Sequence, residues 1–251
     1  MTQILNFYSV GNTRSEWEGL SYARIILLTV AVLCCVASLG YAQNFYPDDI
    51  GNSWVLHSTD GPDVRTVTIK GPDDLNGQQV KRIEDGTNPD NISQYFVKPD
   101  SDGLKLYRSV VSLPLVGDVT FDYSPPQIFL PIPIVLGTTW TLESEVNTPI
   151  TGDVGITIRA EVVAIEDVTV PVGTFEDCLK IAQDTFLRLG IIELKFTSGM
   201  WLAPDVGLVK SISTSDEVFE LIRLDIAPKQ EPTAVRPKGK LATTWAKIKR
   251  H

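Results

Sequence analysis

The chain has 251 residues, 43% of them hydrophobic and 21% charged. That is ordinary globular usage, and it excludes a wholly disordered chain and a polytopic membrane protein. Two His and three Cys are few for a histidine-centred or multi-cysteine metal enzyme, and neither a metal nor another cofactor is expected. The formal charge of -9 is unevenly placed: residues 1–42 are neutral and 228–251 carry +6, so 43–227 hold -15. Such an acidic body repels phosphates, and no nucleic-acid partner is expected.

The first element, residues 1–42, reads as an export signal. Arg24 precedes an uncharged apolar run from Ile25 to Leu39 that ends in Gly40-Tyr41-Ala42, small residues at the spacing of a signal-peptidase site. Basic residues before the run and Asp48 and Asp49 after it place the body on the far side of the membrane. The body is therefore expected to be extracytoplasmic, periplasmic or secreted. The run is also nearly long enough to span a bilayer, so the protein stays membrane-anchored if residues 25–42 are retained. Leu33 directly before Cys34, and Cys34 before Cys35, do not fit a lipidation motif. Both cysteines lie in the apolar run, so the mature chain keeps Cys178 alone, a buried structural thiol with no disulfide partner.

The body, 43–227, begins with Pro47-Asp48-Asp49-Ile50-Gly51-Asn52-Ser53-Trp54-Val55-Leu56. The same spacing of Pro, Ile or Leu, Gly, Ser or Thr, Trp and Leu returns at Pro133 to Leu142. A second pair, Pro99-Asp100 before Gly103 and Pro204-Asp205 before Gly207, follows in each copy. The body therefore reads as two related halves, 45–123 and 130–226, with Gly at each entry turn and Trp54 and Trp140 as equivalent core plugs. His57, in the Trp54 strand, lacks a metal-ligand or triad pattern and is expected to pack or hydrogen-bond at an edge.

Turn signals at Asp85-Gly86, Asp102-Gly103 and Gly152-Asp153 separate runs of period-two alternation. Asp100-Ser101-Asp102-Gly103 has the opening residues of a calcium loop but not its later ligands, and is read as a hairpin turn. Between the halves, the connector 124–137 is apolar and holds four prolines. Proline is excluded from central strands, so this segment is expected at an edge. Its side chains Ile128, Phe129, Leu130, Ile132 and Ile134 are the candidate lip of an apolar ligand cavity.

In the second half Glu143 and Glu145 share one strand face, expected to be solvated rather than an acid–base pair. Alternation follows at Ile156, Ile158, Ala160, Val162 and Ala164, at Leu179, Ile181 and Leu187, at Ile192, Leu194 and Phe196, and at Val218, Ile222, Leu224 and Ile226. Thr174 to Cys178 is the one candidate for a helical turn, with Thr174 as its cap. The expected fold is all-β, an antiparallel curved sheet, half-barrel or two-layer sandwich.

The run Val168-Thr169-Val170-Pro171-Val172-Gly173-Thr174-Phe175-Glu176-Asp177-Cys178-Leu179-Lys180-Ile181, with Trp201-Leu202-Ala203-Pro204-Asp205-Val206-Gly207-Leu208-Val209-Lys210-Ser211 and the Tyr46 to Trp54 segment, resembles a pattern of uncharacterised exported bacterial β-domains. The resemblance covers residues 45–226. It implies an outline similar to the curved half-barrel of lipoprotein carriers, and it brings no catalytic residues.

The last element, 228–251, has Pro228, Pro232 and Pro237 in a charged linker before a basic end. Leu241, Trp245 and Ile248 fall at i, i+4 and i+7 among Lys247, Lys249 and Arg250, a candidate surface for a partner or a membrane. The expected function is non-enzymatic, an envelope module that binds a hydrophobic small molecule or an envelope protein. The alternative is a structural or assembly component of the envelope with the tail as a sorting or docking peptide. Membrane contact is expected only through the N-terminal segment or the tail.

Overall fold

A computed structural model describes residues 43–226 apart from 89–90, 114–116 and 149–151. The expected tail surface, Leu241, Trp245, Lys247, Ile248, Lys249 and Arg250, lies outside the described residues, as does the signal segment 1–42. The described chain is all-β. Its first six strands are β1 (Ser53–Ser58), β2 (Val64–Leu75), β3 (Gln78–Asn88), β4 (Asn91–Asp100), β5 (Gly103–Leu113) and β6 (Gly117–Pro131). The second six are β7 (Thr139–Thr148), β8 (Gly152–Val170), β9 (Gly173–Leu189), β10 (Ile192–Ala203), β11 (Gly207–Ile212) and β12 (Val218–Asp225).

These form one antiparallel sheet of 12 strands, in the order β6-β5-β4-β3-β2-β1-β12-β11-β10-β9-β8-β7. Two consecutive meanders are therefore joined through β1 and β12, with Ser53 opposite Asp225 and Trp54 opposite Leu224. The sheet curls until its free edges, β6 and β7, nearly meet and close a barrel. No ladder joins them, and side chains hold this seam. The Gln127 amide bonds the Glu143 backbone twice, donating through Nε2 to the carbonyl and accepting from the N–H through Oε1, each at 2.7 Å. The Trp140 indole N–H donates to the Phe129 carbonyl at 3.1 Å, and the Ser144 hydroxyl to that of Asp122 at 3.1 Å.

Proline explains why the seam lies here. Pro125 and Pro126 have no N–H to give a ladder. Around them β6 bulges, its pairing with β5 jumping from Asp122 opposite Arg108 to Gln127 opposite Leu106. The apolar Pro-rich segment is thus an edge strand, where proline is tolerated.

Trp54 anchors the core at one end of the barrel. Trp54 is fully buried, stacks on Tyr46 with ring centroids 5.7 Å apart, and donates its indole N–H to the Val206 carbonyl at 2.7 Å. Gly207, at φ +89°, lets the chain pass that ring: a Cβ there would lie 3.0 Å from Trp54 Cζ2 and 3.2 Å from Pro47 Cδ. Gly207→Ala combines the strained angle with overpacking, and a loss of about 2 kcal/mol or more is expected in urea denaturation.

The entries to β1 and β7 share their backbone bonds. Gly51 N–H meets the Ile69 carbonyl and Gly137 N–H the Val162 carbonyl, and the returning bonds run from Ile69 to Asn52 and from Val162 to Thr138. Positive φ at Gly51 and Gly137 permits both turns. The tryptophans that follow differ. Trp140 is half-buried against the core rather than sealed within it, because its strand lies at the seam and not in the middle of a ladder.

Three local expectations are corrected. Thr174 to Cys178 is strand, not a helical turn: Glu176 and Asp177 form a bulge opposite Asp167, with Asp177 at φ 53° and its N–H donating to Asp167 Oδ1 at 3.2 Å. Asp85-Gly86 lies inside β3, because an Asp-Gly pair turns a chain only where the strands beside it end. In β12 the buried residues are Phe219 and Leu221 rather than Val218 and Ile222, and a register shift opposite Val55 and Leu56 changes the phase. Cys178 is buried, and that burial pushes its thiol up to about 11.

Candidate ligand-binding cavity

In an antiparallel meander every odd-to-even connection lies at one end of the barrel. The chain's entry segment, the linker to β7 and the Val206 turn lie at the other. Trp54, Tyr46 and Phe45 close that second end. Above them the inward side chains enclose a cavity of about 590 Å³, within the range that takes up small ligands.

Register shows a gradient along its walls. Ile83 pairs with Ile69 and with Tyr95, Asp85 with Val67 and Ser93, and Arg65 lies one inward position further along β2. Across the barrel Leu179 pairs with Leu202, Ile181 with Met200, Gln183 with Ser198, and Thr185 with Phe196. The inward surface thus changes from aliphatic and aromatic at the closed end to a belt of hydroxyl, amide and charge, beyond which Leu187 on β9 is apolar and buried again. Asp63, Thr214 and Ser215, exposed beside Glu217, form the rim.

An ion pair stands between the two zones. Arg65 donates to Asp85 through Nε at 2.7 Å and Nη2 at 2.6 Å, and through Nη1 to the Ser211 hydroxyl at 2.8 Å. The two charged side chains keep 21% and 19% of their surface accessible although they lie deep in the protein; that surface faces the cavity. Burial alone would lower the Arg65 pKa, but the charge and hydrogen bonds of Asp85 overcome it and hold the guanidinium above its usual value. Burial, reinforced by the Asp85 carboxylate, pushes the Tyr95 phenol up to about 12 and raises that of Tyr46. Both phenols are neutral donors at neutral pH.

Of the expected lip residues, Phe129 and Leu130 line this cavity. Phe129 packs on Tyr46 and Tyr95, with ring centroids 6.4 and 5.6 Å apart. Ile134 is buried in the core below, while Ile128 does not line the cavity and Ile132 is 55% exposed. Glu143 and Glu145 face outward beside a shallower hollow, where Glu145 pairs with Arg188 at 2.7 Å. His57 is exposed on β1 and its Nδ1 meets the Ser58 carbonyl at 2.6 Å. Among the described residues, no three or more His, Cys, Asp or Glu side chains form a group able to hold a metal ion.

Sequence reasoning missed Arg65, Asp85, Tyr95 and Gln183. A signal existed in part: Arg65 interrupts an alternation whose next inward residues are Val67 and Ile69. An arginine at an inward position requires a buried partner, but which strand supplies it depends on register.

A DUF3108-like family profile matches residues 140–216, from β7 to the turn after β11. Two solved structures resemble the chain. One is a Bacteroides fragilis NCTC 9343 protein described as exported and YmcC-like in fold, 15% identical over 73% of this chain and 100% of that one, TM-score 0.43. The other is a Parabacteroides distasonis ATCC 8503 protein described as a lipoprotein, 16% identical over 74% of this chain and 100% of that one, TM-score 0.39. No curated protein matches.

Proposed function

We propose that the protein is a non-enzymatic, extracytoplasmic module that holds a hydrophobic small molecule in the barrel cavity. The cavity itself carries this reading: about 590 Å³ with an aliphatic and aromatic floor and a polar mouth. A floor of Leu142, Met200, Leu202 and Phe219 gains from burying an alkyl chain, at about 0.8 kcal/mol per methylene. The deep charged groups, Arg65 and Asp85, are committed to each other, an arrangement suited to holding a ligand rather than to transferring protons. The apolar run and cleavage pattern of residues 25–42 support the compartment, and the acidic body argues against a nucleic-acid partner.

The protein-partner reading has one observation of its own. At the mouth end the β9–β10 turn presents Ile191 wholly exposed and Ile192 56% exposed, a small apolar tip on which another surface could rest.

Trp140 lines the cavity and supplies the test. Titration with a long-chain amphiphile is expected to shift Trp140 emission with micromolar affinity, and the shift should disappear in Trp140→Phe. Met200→Trp, which fills the floor, should weaken binding by about tenfold or more while the protein still melts cooperatively. Unchanged emission together with no uptake of a hydrophobic dye would remove the cavity from the function.

A further inference from the structure

The polar end of the cavity specifies what its occupant carries there. Arg65 is the one cation among the described residues that line it. Its guanidinium already makes both bonds of a bidentate pair with Asp85 and a third with Ser211, so its charge is balanced and its Nε–Nη2 fork taken, and only the second N–H of each terminal nitrogen is left to offer an acceptor. An anionic head placed beside it would meet Asp85 at the same depth, with a weaker, screened repulsion from Asp63 and Glu217 at the rim. Like charges repel strongly where solvent is largely excluded. The rest of the polar belt is neutral: Ser93, Gln183, Thr185 and Ser198, with the Ser198 hydroxyl against Gln183 at 3.5 Å.

Given that the cavity holds an amphiphile, we infer that it selects an uncharged head group rich in hydroxyl, ester or amide groups and rejects the carboxylate of a free fatty acid. The apolar chain points to the Trp54 end. The head lies between the Arg65–Asp85 pair and the Gln183–Ser198 pair, where both donors and acceptors are offered. A cationic head would meet the Arg65 guanidinium at that depth and gain only from Asp63 and the half-exposed Glu217 at the rim, where water and salt weaken the attraction.

The test is competition for a bound naphthylamine dye on the whole mature protein. The competitors share a lauryl chain and differ in the head: monolaurin, laurate and dodecyltrimethylammonium, each kept below its micellar concentration. Monolaurin is expected to displace the dye at about tenfold lower concentration than either ion, and Asp85→Asn to improve laurate about tenfold relative to monolaurin. Equal displacement by all three, or an ion that competes best, overturns the head-group assignment while leaving the cavity reading intact. Failure of the dye to bind removes the cavity reading itself. Should Asp85→Asn not fold, the ranking on the unaltered protein still decides. Should it fold without favouring laurate, the role given to the ion pair is wrong.

Discussion

Trp54→Ala is expected to destabilise the protein by about 3–5 kcal/mol, and Trp140→Ala by about 1–2 kcal/mol, the difference between a sealed and a half-buried ring. At Trp54 the substitution removes the ring on which Tyr46 stacks and leaves the Val206 carbonyl without its donor. At Trp140 the loss is one seam hydrogen bond and a cavity wall. Equilibrium unfolding in urea measures both, and the denaturant slope should be unchanged. Equal losses would mean that the seam is as tightly packed as the ladder between the meanders, and the contrast drawn between the two tryptophans would be wrong.

Asp85→Ala is expected to cost about 3–5 kcal/mol, because it strands the Arg65 guanidinium deep in the wall with Ser211 as its remaining partner. The double variant Arg65→Met, Asp85→Leu removes the uncompensated charge together with its partner. It should recover most of the stability, since two apolar side chains suit the aliphatic floor below. Thermal and chemical denaturation of both variants decide the point. A double variant no more stable than Asp85→Ala would show that the pair supports the wall through more than its mutual charge. Dye binding measured on the double variant separates that loss from any change in the cavity.

Period-two alternation makes the strands legible wherever one face is buried and the other wet. Ile156, Ala160 and Val162 in β8 and Leu179, Ile181 and Leu187 in β9 are buried as the pattern requires. The edge position of Pro125 and Pro126 follows from the missing N–H. The bulges at Asp177 and in β12 could not be read, because a bulge costs one residue of phase and a sequence shows phase only after it has changed. Ile192 and Leu194 keep the alternation yet are exposed, although Leu187 opposite Leu194 is buried. Phe129 and Leu130 were visible as an apolar run. Arg65 and Asp85 were not, because they are paired side by side through register rather than by nearness in the chain.

The joint between the two meanders bears on how the molecule folds. Each meander is built from neighbouring hairpins, whose contacts are local and close quickly. The ladder that unites them pairs Ser53 with Asp225, almost the whole described chain apart, and its formation must pay the entropy of closing that long loop. The indole N–H of Trp54 likewise finds its acceptor only in the last third of the sequence. During synthesis the first meander therefore emerges with its principal aromatic side chain unsealed and the outer edge of β1 unpaired, and it stays in that condition until β12 has been made.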